Sequence, residues 1–335
     1  MRFLPRPSLC PTASAEASAP LAAARFIKEI GRGKDGARSM SQTDAAMLYT
    51  AMLEGRVSDL EMGGILLSMR IKGESIEEIA GFMEAAQPFI MPMRTPVDSR
   101  FAPVVIPTYN GARKKANLTA LLALLLARHG VPVLVHGVAT DAGRVATAEI
   151  FQALDMPAVA TAEQVLEQMQ QGLPAFMTID VLSPAMAHLL SLRRILGVRN
   201  STHTLVKLLQ PFDKPALRLS SYTHPEYFLM LQDYFSRCAP PASGDVFLMR
   251  GTEGETVAST GRAQQIDWFH QGECTTLLET QPALGEVAAM PESINAISTA
   301  SWIKAVMAGE VAIPENIAVQ VAHCMAVAEK LRQRL

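Results

Sequence analysis

The sequence predicts an α/β protein in which a small N-terminal α-helical domain precedes a large α/β domain with a mainly parallel sheet. Three observations predict it. Residues 21–87 carry a helical pattern with recognisable caps, and Pro88, Pro92 and Pro96 then mark an extended connection. Beyond them, short apolar runs alternate with helical stretches, the signature of β–α–β–α units. The corresponding division is an extension over 1–20, a helical domain over 21–95 and an α/β domain over 96–335.

Residues 1–20 are rich in Ala, Ser and Pro and lack a continuous apolar stretch, so a disordered extension is expected. Residues 25–30 form a short amphipathic turn stopped by Gly31 and Gly33. Ser41 to Asp44 can cap a helix over 45–54, and a second helix over 60–71 is closed by Lys72 and Gly73. Ser75 and Glu78 are spaced as a capping box for a third helix ending at Ala86. A buried strand over 104–106 follows, then a strongly apolar helix capped near Asn117 and ended by Gly130. A strand over 131–135 and a helix over 145–154 continue the alternation. Next come helices over 184–196 and 202–209, an apolar run over 216–220, a helix over 225–234 and a strand over 246–249. Helices over 300–308 and 314–332 complete the series, and there is no internal repeat.

Composition narrows the function classes. Hydrophobic residues make up 49% and charged residues 19%, enough for a large core, and an aromatic share of 6% leaves aliphatic and Met side chains to fill it. Cys10, Cys238, Cys274 and Cys324 are scattered and form no CxxC pair, which points to reduced thiols in the cytoplasm rather than zinc or disulfides. No apolar run reaches the roughly 18 residues that suggest a membrane span. The net charge of −2 conceals an uneven distribution. Residues 1–99 hold 11 Lys/Arg against 12 Asp/Glu, residues 100–220 hold 12 against 7, and residues 221–335 hold 7 against 13. The middle third, at a net of +5, can therefore present a basic face on a nearly neutral protein.

The most informative segment is 107–117, between a buried strand and a helix start. Ligands bind at the carboxyl ends of strands in open α/β sheets, and a helix start offers unpaired N–H groups to an anion. Asn110, Gly111, Arg113, Lys114, Lys115 and Asn117 are the candidate phosphate contacts there; the plain alternative is a solvated turn with surface lysines. A second set is Arg193, Arg194, Arg199 and Lys207. Arg193 and Arg194 fall in the last turn of the expected 184–196 helix, where cations also complement the macrodipole. Arg70 and Lys72 invite the same plain reading. Arg32 and Lys34 lie in a Gly-rich basic loop that lacks the GxxxxGK[ST] pattern of a P-loop. Glu253 and Glu255 are weak Mg²⁺ candidates, His136 reads as structural, and no Ser–His–Asp or Cys–His arrangement can be assembled.

These residues bring a family into view. Residues 44–84, with Met52-Leu53-Glu54-Gly55-Arg56 and Met69-Arg70-Ile71-Lys72-Gly73-Glu74, resemble the N-terminal helical domain of anthranilate phosphoribosyltransferase. The likeness continues through Val135-His136-Gly137, Leu196-Gly197-Val198-Arg199 and Arg250-Gly251-Thr252-Glu253-Gly254. Ile30-Gly31-Arg32-Gly33-Lys34, Asn110-Gly111-Ala112-Arg113-Lys114 and Ser221-Tyr222-Thr223-His224 resemble a bacterial branch outside the tryptophan pathway that has DNA-binding members. The resemblance implies a phosphoribosyltransferase, nucleoside-phosphorylase-like architecture, with helices near 184–210 joining the helical domain. It also implies a homodimer formed through that domain.

Three parts of the family's transferase site are altered. The loop that reads GTGGD in the enzymes is Pro107-Thr108-Tyr109-Asn110-Gly111 here, and Pro107 removes a backbone donor. The family's Lys-His-Gly-Asn-Arg becomes Val135-His136-Gly137-Val138-Ala139, and its metal-binding Asp-Glu pair falls on Thr256-Val257. These departures argue against the transferase reaction, and the resemblance to the branch with DNA-binding members implies instead a protein without catalytic residues or cofactor that binds DNA and/or RNA non-specifically through its phosphates. The alternative is a phosphoribosyl- or glycosyl-transferase with another acceptor, which would use Mg²⁺ with phosphoribosyl pyrophosphate. It would need Asn110, Gly111 and the helix start at Asn117 to hold pyrophosphate, with Glu253 or Glu255 replacing the lost acids. A regulatory module sensing a small phosphorylated ligand is a third reading.

Overall fold

Four helices open the fold: α1 (Ala24–Ile30), α2 (Gln42–Leu53), α3 (Asp59–Lys72) and α4 (Ile76–Ala86). The computed structural model describes residues 19–33, 35–282 and 290–334, so residues 1–18 of the expected extension and Lys34 lie outside the described residues. Short polar side chains fix the helix starts. Ser41 Oγ accepts from the Asp44 amide at 3.1 Å, and Ser58 and Ser75 form capping boxes with Glu61 and Glu78. Glu78 does more than cap. It is 0% exposed, accepts from the Met40 amide (2.9 Å) and pairs with the Lys72 ammonium (2.7 Å). One carboxylate thus joins α3, α4 and the segment leading into α2. Helices α2 and α4 pack closely at Gly81, where a Cβ would fall on the Gln42 carbonyl oxygen.

The α/β part begins with β1 (Val104–Thr108), α5 (Thr119–Arg128), β2 (Val133–Gly137), α6 (Thr147–Ala153), α7 (Ala162–Gln170) and β3 (Ala175–Thr178). Short helices α8 (Ile179–Leu182), α9 (Pro184–Ser191), α10 (Arg193–Leu196) and α11 (Thr202–Leu205) lead to β4 (Leu217–Ser221). Then follow α12 (Pro225–Arg237), β5 (Val246–Met249), β6 (Ile266–His270), β7 (Glu273–Leu278), α13 (Ala296–Ala308) and α14 (Glu315–Arg332). The sheet order is β3-β2-β1-β4-β5-β6-β7. β1 to β5 pair in parallel, and β6 and β7 extend the sheet antiparallel.

Alternate residues of β1, β2, β3 and β5 serve two cores. Val105, Leu134, Met177 and Leu248 face the helical layer, with Leu48, Ile65, Ile79, Leu189 and Leu205 in the same cluster. Val104, Ile106, Val135, Leu219 and Phe247 pack with Leu122, Phe151, Ile303 and Cys324 on the other face. The helices between β3 and β4 pack against the N-terminal ones, and the buried Tyr49 hydroxyl meets Thr202 Oγ1 at 2.9 Å. Burial pushes the Tyr49 phenol well above its usual range, so this hydrogen bond joins two neutral hydroxyls.

The expected fold class is observed, with local differences. The helix expected over 184–196 is broken at Leu192, so Arg193 and Arg194 open α10 instead of closing a longer helix. Gly197, with φ of 74°, ends α10 in the left-handed region open to glycine. The helix expected over 202–209 is a single turn. Strands β3, β6 and β7 and helices α7 and α8 add to the elements expected from the sequence. Among the described residues no helix is long and apolar enough to cross a membrane.

Candidate functional site

From β1 the chain adds β2 and β3 on one side, then returns through α8–α11 to place β4 on the other. The strand order reverses between β1 and β4, and a crevice opens at their carboxyl ends. The loops after β1, β4 and β5 meet there.

Backbone amides after β1 aim at a single region, as an anion site requires, and that region is filled by the chain itself. The Asn110 and Gly111 amides both donate to Glu255 Oε1, at 2.9 and 2.6 Å. The Arg113 and Lys114 amides donate to the two oxygens of Glu253, each at 2.8 Å. Four N–H groups are thus spent on two carboxylates from the loop after β5. That loop is tightly wound. Glu253 sits at a φ of 54°, uncommon for a residue with a side chain, and Gly254 at 91°. The Gly254 carbonyl accepts from Asn110 Nδ2 and Ser221 Oγ, both at 2.7 Å. Glu255 is 1% exposed. Burial raises its carboxyl above the usual range, opposed by the Thr108 hydroxyl, the two amides and the Lys207 ammonium.

The neighbouring departures from the transferase pattern also face inward. Tyr109 is buried, and its hydroxyl meets His136 Nδ1 at 2.7 Å. Burial holds the His136 imidazole neutral, down to about 3, in keeping with a structural role. Asn117 Oδ1 accepts from the Thr119 amide, while its Nδ2 donates to Val145 O and Thr147 Oγ1. Asn110, Gly111 and Asn117 therefore pin the loop with the groups expected to hold phosphate. Glu253 and Glu255, the weak Mg²⁺ candidates, turn three of their four oxygens onto these amides. Among the described residues no group of three or more His, Cys, Asp or Glu is placed to hold a metal.

Of the basic candidates, the structure brings together Arg193, Arg199 and Lys207, and adds Arg144 and Arg70. Arg199 and Lys207 line a cavity of about 200 Å³ between the helical layer and the α/β part, with Arg70, His203, Ser220 and Tyr227 around them. Burial lowers the Arg199 guanidinium, and the charges of Arg193 and Arg144 lower it further. Burial also takes Lys207 down to about 8; Glu255 pulls it up and Arg199 down. His203 is held down to about 4 by burial and by Arg199 and Arg193, which keeps it neutral. Asp141 partly balances the group, 3.9 Å from Arg193. Arg144 donates to the Gly111 carbonyl at 3.2 Å, linking the cluster to the β1 loop. Arg70 reaches across the cleft to the Tyr227 hydroxyl at 3.1 Å.

The other candidates lie apart. Arg113, Lys114 and Lys115 are exposed. Lys114 and Lys115 border a largely apolar hollow, and Lys115 also lines one with Arg250 that shares Tyr222 and Thr223 with the cleft. Arg194 is exposed on α10, and Arg32 is occupied by Glu29 at 2.7 Å. Sequence reasoning missed Arg144, a lone basic residue in a loop. It gave Arg70 only a helix-end role, because its partner lies 157 residues away.

Comparison with known proteins places this geometry among relatives. Residues 24–87 match the model of a glycosyl transferase family, helical bundle domain. The chain is 42% identical to YbiB of Escherichia coli (strain K12) over 302 residues, covering 90% of this chain and 92% of that protein. It is 25% identical over 291 residues to anthranilate phosphoribosyltransferase of Rhodopseudomonas palustris (strain BisA53), covering 85% and 83%. The crystal structure of anthranilate phosphoribosyltransferase (TrpD) from Thermus thermophilus superposes with a TM-score of 0.69 at 23% identity. The superposition covers 92% of this chain and 89% of that one.

Proposed function

The chain belongs to the YbiB family of anthranilate-phosphoribosyltransferase-like proteins, and from that premise we propose that it binds nucleic-acid phosphates, independently of sequence, through its basic cleft. One observation carries the proposal. Arg199 and Lys207 line one cavity, with Arg193 and Arg144 near enough for their charges to act on Arg199, while Glu253 and Glu255 occupy the amides that a bound pyrophosphate would need. Arg199 and Lys207 can attract phosphate with their side chains, whereas the backbone cradle is already taken. Lys and Arg contacts to phosphate give affinity without base readout, and that affinity falls with salt as counterions are released. Arg194, Lys114 and Lys115 extend the basic surface outside the cleft.

The partner is DNA or RNA, and the binding needs no cofactor or metal. The setting is the cytoplasm, and the protein acts as a homodimer through the helical domain. Met47, Leu60, Leu67 and Ile71, exposed on α2 and α3, support that arrangement. The transferase alternative, with an unknown acceptor, would require the Glu255 carboxylate to leave the β1 loop.

The test is titration of labelled single- and double-stranded oligonucleotides of unrelated sequence across a salt series. For about four neutralised phosphates the slope of log K against log salt on duplex is about −3.6. Arg193→Gln with Arg194→Gln weakens binding alike on every sequence and flattens the slope by about 1 to 2. Binding that ignores salt and these substitutions would overturn the proposal. Mg²⁺-dependent binding of phosphoribosyl pyrophosphate would favour the transferase.

A further inference from the structure

The cleft is a walled pocket, and its shape bears on which phosphate it takes. The helical layer forms one wall with Arg70, Gly73 and Glu74, α11 and the residues just after it another with His203 and Lys207, and the end of β4 with the start of α12 a third. The Arg70–Tyr227 hydrogen bond spans from one wall to another. A cavity of about 200 Å³ is smaller than the roughly 300–1,000 Å³ of pockets that enclose a drug-sized ligand. It has room for a phosphate with part of a sugar, but a phosphodiester inside it would need the strand both to enter and to leave.

Three of the polar groups lining it lack close partners among the described residues. Ser220 Oγ is buried with no hydrogen-bond partner, on a residue 1% exposed that lines the cavity. Among the described residues, neither Lys207 Nζ nor the Arg199 guanidinium makes a close ion pair or hydrogen bond, although each feels the charges around it. Two unpaired cations and a hydroxyl donor suit a phosphomonoester, which carries about −1.5 to −2 charges at neutral pH and three terminal oxygens. An internal phosphodiester carries one charge and two such oxygens.

We propose that this pocket captures the terminal phosphomonoester of a nucleic-acid strand, with Lys207, Arg199 and Ser220 as its contacts. The proposal rests on the nucleic-acid reading above and assigns the strand end, rather than its interior, to the deepest part of the cleft. A free nucleotide shares the same chemistry, so the experiment separates the two.

Full-length protein is titrated with one oligonucleotide sequence carrying a 5′-phosphate, a 3′-phosphate or hydroxyls at both ends, and with a circular single strand. Mononucleotide and inorganic phosphate serve as competitors. Because its contacts are charge-assisted, a phosphorylated end binds at least about tenfold tighter than the hydroxyl-ended strand. Lys207→Gln and Ser220→Ala each bring that ratio towards one. Equal affinity for all linear forms, or a tenfold ratio that survives both substitutions, overturns the assignment while leaving nucleic-acid binding intact. Failure of every strand, circular included, overturns the reading beneath it. Competition by mononucleotide as strong as that of the phosphorylated strand overturns the strand end in favour of a free phosphomonoester.

Discussion

Replacing Glu255 with Ala removes the acceptor that holds the β1 loop closed. Two buried amides, of Asn110 and Gly111, lose a partner at 2.9 and 2.6 Å. Each buried donor left unsatisfied costs about 1–3 kcal/mol, so the direct loss is about 2–6 kcal/mol. Removing a desolvated carboxylate returns part of it, and a net destabilisation of about 2–4 kcal/mol is expected. Glu255→Gln keeps an oxygen facing the amides and drops the charge, so it costs about 1 kcal/mol or less. The two variants also differ from the native protein in pH response. The folded protein holds the Glu255 carboxyl above its ordinary value of 4.5. Its contribution is therefore fully present below that value and is lost as pH rises through the folded pKa. Glu255→Gln removes this decline, so its stability relative to the native protein improves from acid to neutral pH. Urea unfolding followed by circular dichroism, repeated across that range, measures both effects. The reasoning fails if Glu255→Ala costs under about 0.5 kcal/mol, or if Gln is as damaging as Ala.

Two further substitutions test the packing beneath the cleft. Lys72→Met leaves Glu78, 0% exposed, without its cation, and breaking a buried pair of this kind costs about 3–5 kcal/mol in urea unfolding. Gly81→Ala sets a methyl group against the Gln42 carbonyl where α2 and α4 pack, and overpacking there lowers stability by about 1–3 kcal/mol. A neutral result for Gly81→Ala in thermal unfolding would show that the two helices can separate without loss.

Elements whose local pattern and burial agree are legible in the sequence. Ser41 and Ser75 announce their helices, and the apolar runs at β1, β2, β4 and β5 announce central strands. Where local signal and context part, the sequence says less. β7 is mostly exposed, and β6 buries Asp267, whose carboxylate is held by Gln265 and by Thr276 from β7, partners that the local pattern does not announce. The break at Leu192 has no Gly or Pro to mark it. At the site, the skewed charge of the middle third predicted a basic face, and Arg199 and Lys207 lie in it. The β1 loop carried the denser cluster of positive charge, yet its amides had already met Glu253 and Glu255 from about 140 residues away, a pairing created by the sheet. No spacing in the chain encodes that encounter.

That encounter sets how the loop responds to its surroundings. A ligand stabilises a fold in proportion to the logarithm of its concentration over its dissociation constant, so a loop completed by substrate depends on supply. A tethered carboxylate is always present, at an effective concentration on the order of millimolar even for a short flexible tether. The wound loop holding Glu253 and Glu255 is more constrained than that. A soluble diphosphate competing for the four amides meets a rival that cannot be diluted. The amides after β1 keep their partners whether phosphate is scarce or abundant.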